Sequence, residues 1–325
     1  MKEPRYIDAL KAGWDLALHH KSLWLFGLFA AFLGQMGIVE IISKSVMGVA
    51  RLSDPSAIVS LWRVFVGLPM NEFFATLSSG QWIGMVWLLI IIIGLFLAAI
   101  FVAVTSQGAI VHSTARYITK RGKFEDSSKS WYASQKHFWE LLVLNILRKV
   151  LVISFVIFVT WGTINALYYP TTFDLILYLI LFLLAVGMGM ILSILLIYAV
   201  GYVVVEDTGL WQSIRAAWRL FTDHWLVSFE IGFIFIFLNV VVMVLLLVGM
   251  YLFFLPTLFL WTMAVTLGNN VLFLVGLSIG LTLFLLYALL LGAIFSVFTT
   301  ATWTYLFTKM HKDGMVSHIL HLFKK

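Results

Sequence analysis

Between Asp207 and Glu230 the apolar residues Trp211, Ile214, Trp218, Phe221 and Trp225 recur at steps of three and four, the spacing of one helix face. Arg215, Arg219, Thr222 and Asp223 fall between them, and the sequence after Trp225 is almost unbroken hydrophobic. The pattern predicts an amphipathic helix that leads directly into a membrane span. It recurs along the chain. Trp218 stands six residues before His224, and Trp14 and Trp131 stand at the same interval before His20 and His137. A hydrophobic run begins within a few residues of each histidine. The middle copy is the weakest, with Ser127 and Ser134 where the third has Ile214 and Phe221. Together the three segments read as an internal triplication.

The long apolar runs set the rest of the architecture. A span needs about twenty mostly apolar residues, and six stretches qualify: Leu23–Ile42, Trp82–Ser113, Glu140–Leu167, Phe173–Val205, Trp225–Leu255 and Val271–Phe307. The expected fold is all-α, a polytopic membrane protein of six transmembrane helices in a single domain. Each repeat would be an amphipathic interfacial helix plus two spans, at about residues 4–118, 119–205 and 206–310, followed by an amphipathic tail at 311–325. Two spans per unit force all units into one orientation, so the repeats are parallel and not inverted. The second span of each unit looks longer than a bilayer, the last running from Val271 to Phe307. Such helices must tilt, break or project past the membrane.

Composition agrees. The chain is 62% hydrophobic and 11% charged, against about a quarter charged in soluble domains. Its net charge of +6 reads as a basic inner face and not as a nucleic-acid surface, because the basic residues alternate across the spans. Sixteen lysines and arginines flank the spans on the side of the termini, including Lys11, Lys21, Arg116, Lys136, Arg215, Arg219 and Lys309, against three on the other side, Lys44, Arg51 and Arg63. Both termini are therefore expected in the cytoplasm, with all three Trp/His helices on that face. The N-terminal run is long, is preceded by acids as well as bases, and lacks a small-residue cleavage site, so it reads as a retained first span. There is no cysteine, which excludes disulfides and thiolate metal sites.

Two further amphipathic segments stand out. Asp54-Pro55 reads as a helix start, with Ile58, Leu61, Trp62, Phe65 and Val66 on one face of a short helix lying on the outer surface. Met315–Lys325 repeats the theme inside. Small residues at Gly276, Gly280, Ala288, Gly292, Ser296 and Thr300, at Ala185, Gly189 and Ser193, and at Gly94 and Ala98 read as stripes that let helix backbones approach closely.

Chemistry is sparse. No zinc motif, P-loop, dinucleotide fingerprint or nucleophile elbow occurs, so no catalytic, metal or cofactor residue is assigned. Charges in hydrocarbon are costly and are the candidates for function. Glu140 and Glu230 come early in their spans, within reach of the interface. Arg148 and Lys149 lie about 12 Å into theirs. Either Phe138–Lys149 is still interfacial and the span begins at Val150, or Arg148 or Lys149 pairs with Glu230 of the neighbouring unit or with a lipid phosphate. Trp14, His20, Trp131, His137, Trp218 and His224 form the interfacial signature of the repeat.

The runs Leu10-Lys-Ala-Gly-Trp14 and Val204-Val-Glu-Asp-Thr-Gly-Leu-Trp-Gln-Ser-Ile-Arg-Ala-Ala-Trp218, each entering a span, resemble bacterial multi-span proteins of the glycerophosphoryl diester phosphodiesterase membrane-domain family. In that family the membrane region is found fused to a soluble phosphodiesterase barrel, for which this chain has neither the length nor the His-Arg-Gly motif. The resemblance implies a membrane module of the bacterial inner membrane and carries over no hydrolase residue. The functional expectation is a non-catalytic module that engages the lipid bilayer, through anionic phospholipid headgroups, or assembles with protein partners. The alternative is a transporter or permease with a polar route between the repeat units, near Arg148, Lys149 and Glu230.

Overall fold

The computed structural model describes residues 6–33, 79–120, 127–168, 172–268 and 270–313. Among these residues there is no strand, and nine helices follow in order. They are α1 (Tyr6–His19), α2 (Ser22–Ala31), α3 (Ser79–Thr119), α4 (Ser127–Gln135), α5 (Phe138–Tyr168), α6 (Thr172–Val205), α7 (Leu210–Asp223), α8 (Trp225–Leu267) and α9 (Asn270–Asp313). Five of them, α3, α5, α6, α8 and α9, are long and apolar enough to cross a membrane. Helices are what this composition dictates, because in hydrocarbon each backbone N–H and C=O must be satisfied within its own segment. Of the first expected span, Ser22–Ala31 is an apolar helix, and residues 34–42 lie outside the described residues. So do Glu40, the Asp54–Val66 segment and Met315–Lys325.

The helices are long, as expected for α3, α6 and α9, which hold 41, 34 and 44 residues, roughly 50 to 65 Å at 1.5 Å per residue. One boundary differs. The stretch 256–270 read as a connection, yet α8 continues through Pro256 for 43 residues. Proline removes one donor and crowds the preceding turn, but unwinding in an apolar setting would expose many more backbone groups. The turn is confined to the residues after Leu267, where Gly268 adopts φ +62° and donates its N–H to Ala264 O and Val265 O. Glycine takes that left-handed position without a steric penalty.

The described residues fall into two compact units. The first holds α1, α2, α4, α7, α8 and α9 with the C-terminal parts of α3 and α6. Its core is aromatic. Tyr198 is fully buried, bonds Ser228 Oγ at 2.7 Å and meets Trp303 edge-on. Trp303 stacks on Phe235 with centroids 5.4 Å apart, and Phe307 meets Tyr202 at 4.9 Å. Close approach needs glycine at two places. A Cβ on Gly13 of α1 would run into Thr302 Oγ1 and lie 3.0 Å from Phe298 O, and one on Gly27 of α2 would strike Ala293 O of α9. The outer hairpin of α8 and α9 interlocks similarly, Gly280 against Thr257 and Gly276 against Leu260, with Thr257 donating to Gly276 O at 2.9 Å. Packing thus accounts for Gly276 and Gly280 of the small-residue stripe, whereas Gly292 and Gly94 face open space.

The second unit holds the N-terminal part of α3, most of α5 and most of α6. Gly162 faces the Tyr178 ring at 3.4 Å, and the Thr163 and Tyr178 hydroxyls bond at 2.9 Å. Ala185, Gly189 and Ser193 form a buried row on α6, as small-residue packing predicts.

Candidate functional site

The three Trp/His segments are built alike at the backbone level. Each histidine sits at the break between a short helix and an apolar one. The N–H of His20, His137 and His224 closes the preceding helix on Leu16 O, Ser134 O and Leu220 O at 3.3, 3.1 and 3.1 Å. The carbonyl of each opens the next helix, accepting from Leu23, Leu141 and Ser228 at 2.9, 3.0 and 3.0 Å. The histidines are thus hinge residues of the chain path.

The packed face of these helices is not the tryptophan stripe that hydrophobic spacing singles out. In α7 the buried residues are Ser213, Ala217, Leu220 and Phe221, and in α1 they are Ala9, Gly13, Leu16 and Ala17. Counted from Trp218 and Trp14 these are the same four positions: five before, one before, two after and three after. In α4 the buried Ser130 and Ser134 are one before and three after Trp131. The reason is steric. A short helix seated on a long one needs small side chains where backbones approach. Accordingly Gly13 lies on Phe298 and Thr302 of α9, and Ser134 donates to Thr105 O of α3 at 2.8 Å, with Gly108 directly beneath it. The tryptophans are more open: Trp14, Trp211, Trp218 and Trp225 are 54, 77, 56 and 54% exposed, with the Trp14 ring still meeting Phe298 edge-on at 5.8 Å. Trp131 differs, being half-buried and stacked on Phe26 of α2 at 5.6 Å. Phe221 is the one member of the expected apolar face that is fully buried.

Polar contacts that sequence spacing does not reveal tie these helices down. The Tyr6 hydroxyl donates to the Glu230 carboxylate, and Tyr117 donates to Asp15 at 2.5 Å. Asp15 also meets His19 Nδ1 at 2.8 Å, and His20 stands edge-on to Tyr117. After α6, Asp207 takes φ +52° while Thr208 N–H returns to Tyr202 O at 3.4 Å, the pattern of a helix stop that turns through a left-handed residue. That turn aims the Asp207 carboxylate at Lys136 Nζ, 2.6 Å away, and at His137 Nε2, 3.5 Å away. Glu206 and Tyr202 face His311 at 3.7 and 3.2 Å. An Asp-Thr-Gly run after an apolar segment is a helix-stop signal. Tyr6 and Tyr117 carry no comparable signal.

Two of these groups set a pH dependence. Burial pulls the His20 pKa below its usual 6.5, with Asp15 raising it and His19 lowering it further. The Lys136 hydrogen bond holds Asp207 below its ordinary 3.8. In both, the folded state binds protons less readily than the unfolded state, so stability is present above the ordinary value and lost as pH falls through the folded one. Thermal stability in detergent should therefore fall from about pH 7 to pH 5 through the histidine. His20→Gln should flatten that limb, and a profile identical to the parent would contradict this assignment.

The charged candidates belong to different units. Arg148 is 5% exposed and Lys149 half-buried, both in the second unit on the unbroken helix α5. Glu140 is half-buried in the first turn of α5, where a helix N-terminus favours an acid. Glu230 belongs to the first unit, with Tyr6 as its hydrogen-bond donor. No group of metal-ligating side chains occurs among the described residues. Four threonines of α9 turn their hydroxyls onto their own helix. Thr300, Thr302, Thr304 and Thr308 each bond the carbonyl four residues earlier at 2.7 to 2.8 Å, satisfying themselves within their own helix.

Fold and site together define a helical membrane protein in which short helices are docked among long apolar ones. Comparison of the chain with protein-family models, with curated proteins and with solved structures yields no match.

Proposed function

We propose that the protein is a non-catalytic inner-membrane module of bacteria, of six spans in three parallel repeats, that engages lipid through its interfacial helices. Both termini and the three Trp/His helices lie on the cytoplasmic side, where basic residues meet anionic phospholipid headgroups. The observation that carries this reading is the shared burial register of α1, α4 and α7. Small residues seat each helix on the bundle, which leaves Trp14 and Trp218 more than half exposed, the disposition of aromatic anchors at a membrane interface.

The reading is tested by reconstituting the full chain in phosphatidylcholine bilayers with increasing phosphatidylglycerol and measuring thermal unfolding. Stabilisation should rise with anionic content and fade at high salt. Equal stability at every composition would oppose it.

A permease is the second reading, favoured by the buried hydroxyls of Thr105, Ser106, Ser113, Ser296 and Thr299, which have no hydrogen-bond partner among the described residues. Against it, Tyr198, Phe235, Phe298, Trp303 and Phe307 fill the core of the same unit. A solute route needs a wetted path, and the fully buried Tyr198, held between Ser228 and Trp303, does not favour one through this core.

A further inference from the structure

The three interfacial helices share a seat but not an outward face. Counted from the tryptophan, the position three before it is Lys11 in α1, Ser128 in α4 and Arg215 in α7, and the position one after it is Asp15, Tyr132 and Arg219. In α1 the acid is engaged by Tyr117 and His19. In α7 both positions are arginine, and both are exposed.

Their placement on the helix is ordered. At 100° per residue, Trp211 and Trp218 lie together on the exposed arc, Thr222 and Arg215 come next, then Arg219, and Asp223 beyond it. The buried Ser213, Ala217 and Leu220 occupy the opposite side. The tryptophan edge continues through exposed Trp225 at the start of α8 into the exposed Phe233 and Phe237. No charged residue follows on α8 after Glu230. The tryptophan edge is thereby joined to surface that only hydrocarbon covers at low cost, and the arginines fall one step toward water. That step is the depth of the phosphates. A guanidinium presents a planar fork matched to phosphate oxygens.

We infer that the Trp211–Arg215–Trp218–Arg219 face of α7 is a binding site for the phosphate of an anionic phospholipid, and that it, not α1 or α4, gives the protein its preference for anionic lipid. This rests on the interfacial reading above and adds which helix discriminates by charge.

The chain has no cysteine, so Thr222→Cys places a single fluorophore beside the site. The labelled full-length protein is reconstituted in phosphatidylcholine containing either brominated phosphatidylglycerol or brominated phosphatidylcholine at equal mole fraction. The ratio of the two quenching constants gives the selectivity. In the parent, phosphatidylglycerol should quench more strongly. Each basic residue near the surface contributes roughly a fivefold preference, so Arg215→Gln with Arg219→Gln should lower the ratio about thirtyfold, to near unity. Lys11→Gln should leave it unchanged. An unaltered ratio in the double arginine variant, or an equal fall with Lys11→Gln, overturns the assignment to α7. Absence of quenching by either lipid overturns the interfacial reading itself, which distinguishes the two failures.

Discussion

Gly13→Ala combined with Gly27→Ala is expected to lower stability by about 4 kcal/mol, although each change adds one methyl group. On an isolated helix glycine to alanine is favourable by about 1 kcal/mol. At these positions the methyl meets backbone as well as side chain: Phe298 O and Thr302 N at 3.0 and 3.2 Å, together with Thr302 Oγ1, for Gly13, and Ala293 O, together with Val297 Cγ2, for Gly27. Either α1 and α2 move off α9, or α9 bends. Overpacking of this kind costs typically 1 to 3 kcal/mol per site, and two separated sites add, so the pair removes about 4 kcal/mol from a marginal total. Gly292→Ala, where the added carbon meets nothing within 4 Å, is the control and should be neutral or slightly stabilising. Thermal unfolding of the purified variants tests both signs. A double variant as stable as the parent would mean that α1 and α2 are not seated on α9.

The second large effect is expected at Arg148. A guanidinium only 5% exposed on α5 is retained against a desolvation cost of several kcal/mol. Arg148→Leu should lower stability by about 3 kcal/mol by leaving the groups around it unmatched, and Arg148→Lys should not restore it, because an ammonium lacks the planar fork. Lys149→Leu, at a half-buried position, should cost less than about 1 kcal/mol. Equal, small losses at both positions would show that the start of α5 lies in the interface, with Arg148 solvated there.

Much of the helical architecture is legible in the chain because lipid leaves the backbone few choices. Apolar runs of span length therefore mark α3, α5, α6, α8 and α9, with starts within three residues and ends within six. The exception is the end of α8, where Pro256 suggests a break that the apolar setting does not permit. The docked faces are not legible from hydrophobicity. In α7 the apolar stripe runs through Trp211 and Trp218, whereas the seat is Ser213, Ala217 and Leu220. Water drives large apolar residues inward, but between helices in lipid that drive is absent and close approach decides. The small residues one before and three after the tryptophan, Gly13 and Ala17, or Ser130 and Ser134, are the signal that reveals the seat. Long-range polar pairs leave no local trace: Tyr6 and Glu230 are 224 residues apart. The Arg148 charge stood out in an apolar run, but its burial depends on packing that no spacing encodes.

The outward tryptophan face of α7 is tested most directly by spin labels at single cysteines placed along positions 211 to 223 of the reconstituted protein. Collision with oxygen, which concentrates in lipid, is compared with collision against a water-soluble nickel chelate. Oxygen accessibility should peak at 211, 214 and 218, the nickel chelate should dominate at 219 and 223, and 213, 217 and 220 should be shielded from both. If 211 and 218 prove shielded or water-exposed while 213 and 217 contact lipid, the helix is seated the other way round and the account of its function falls with it.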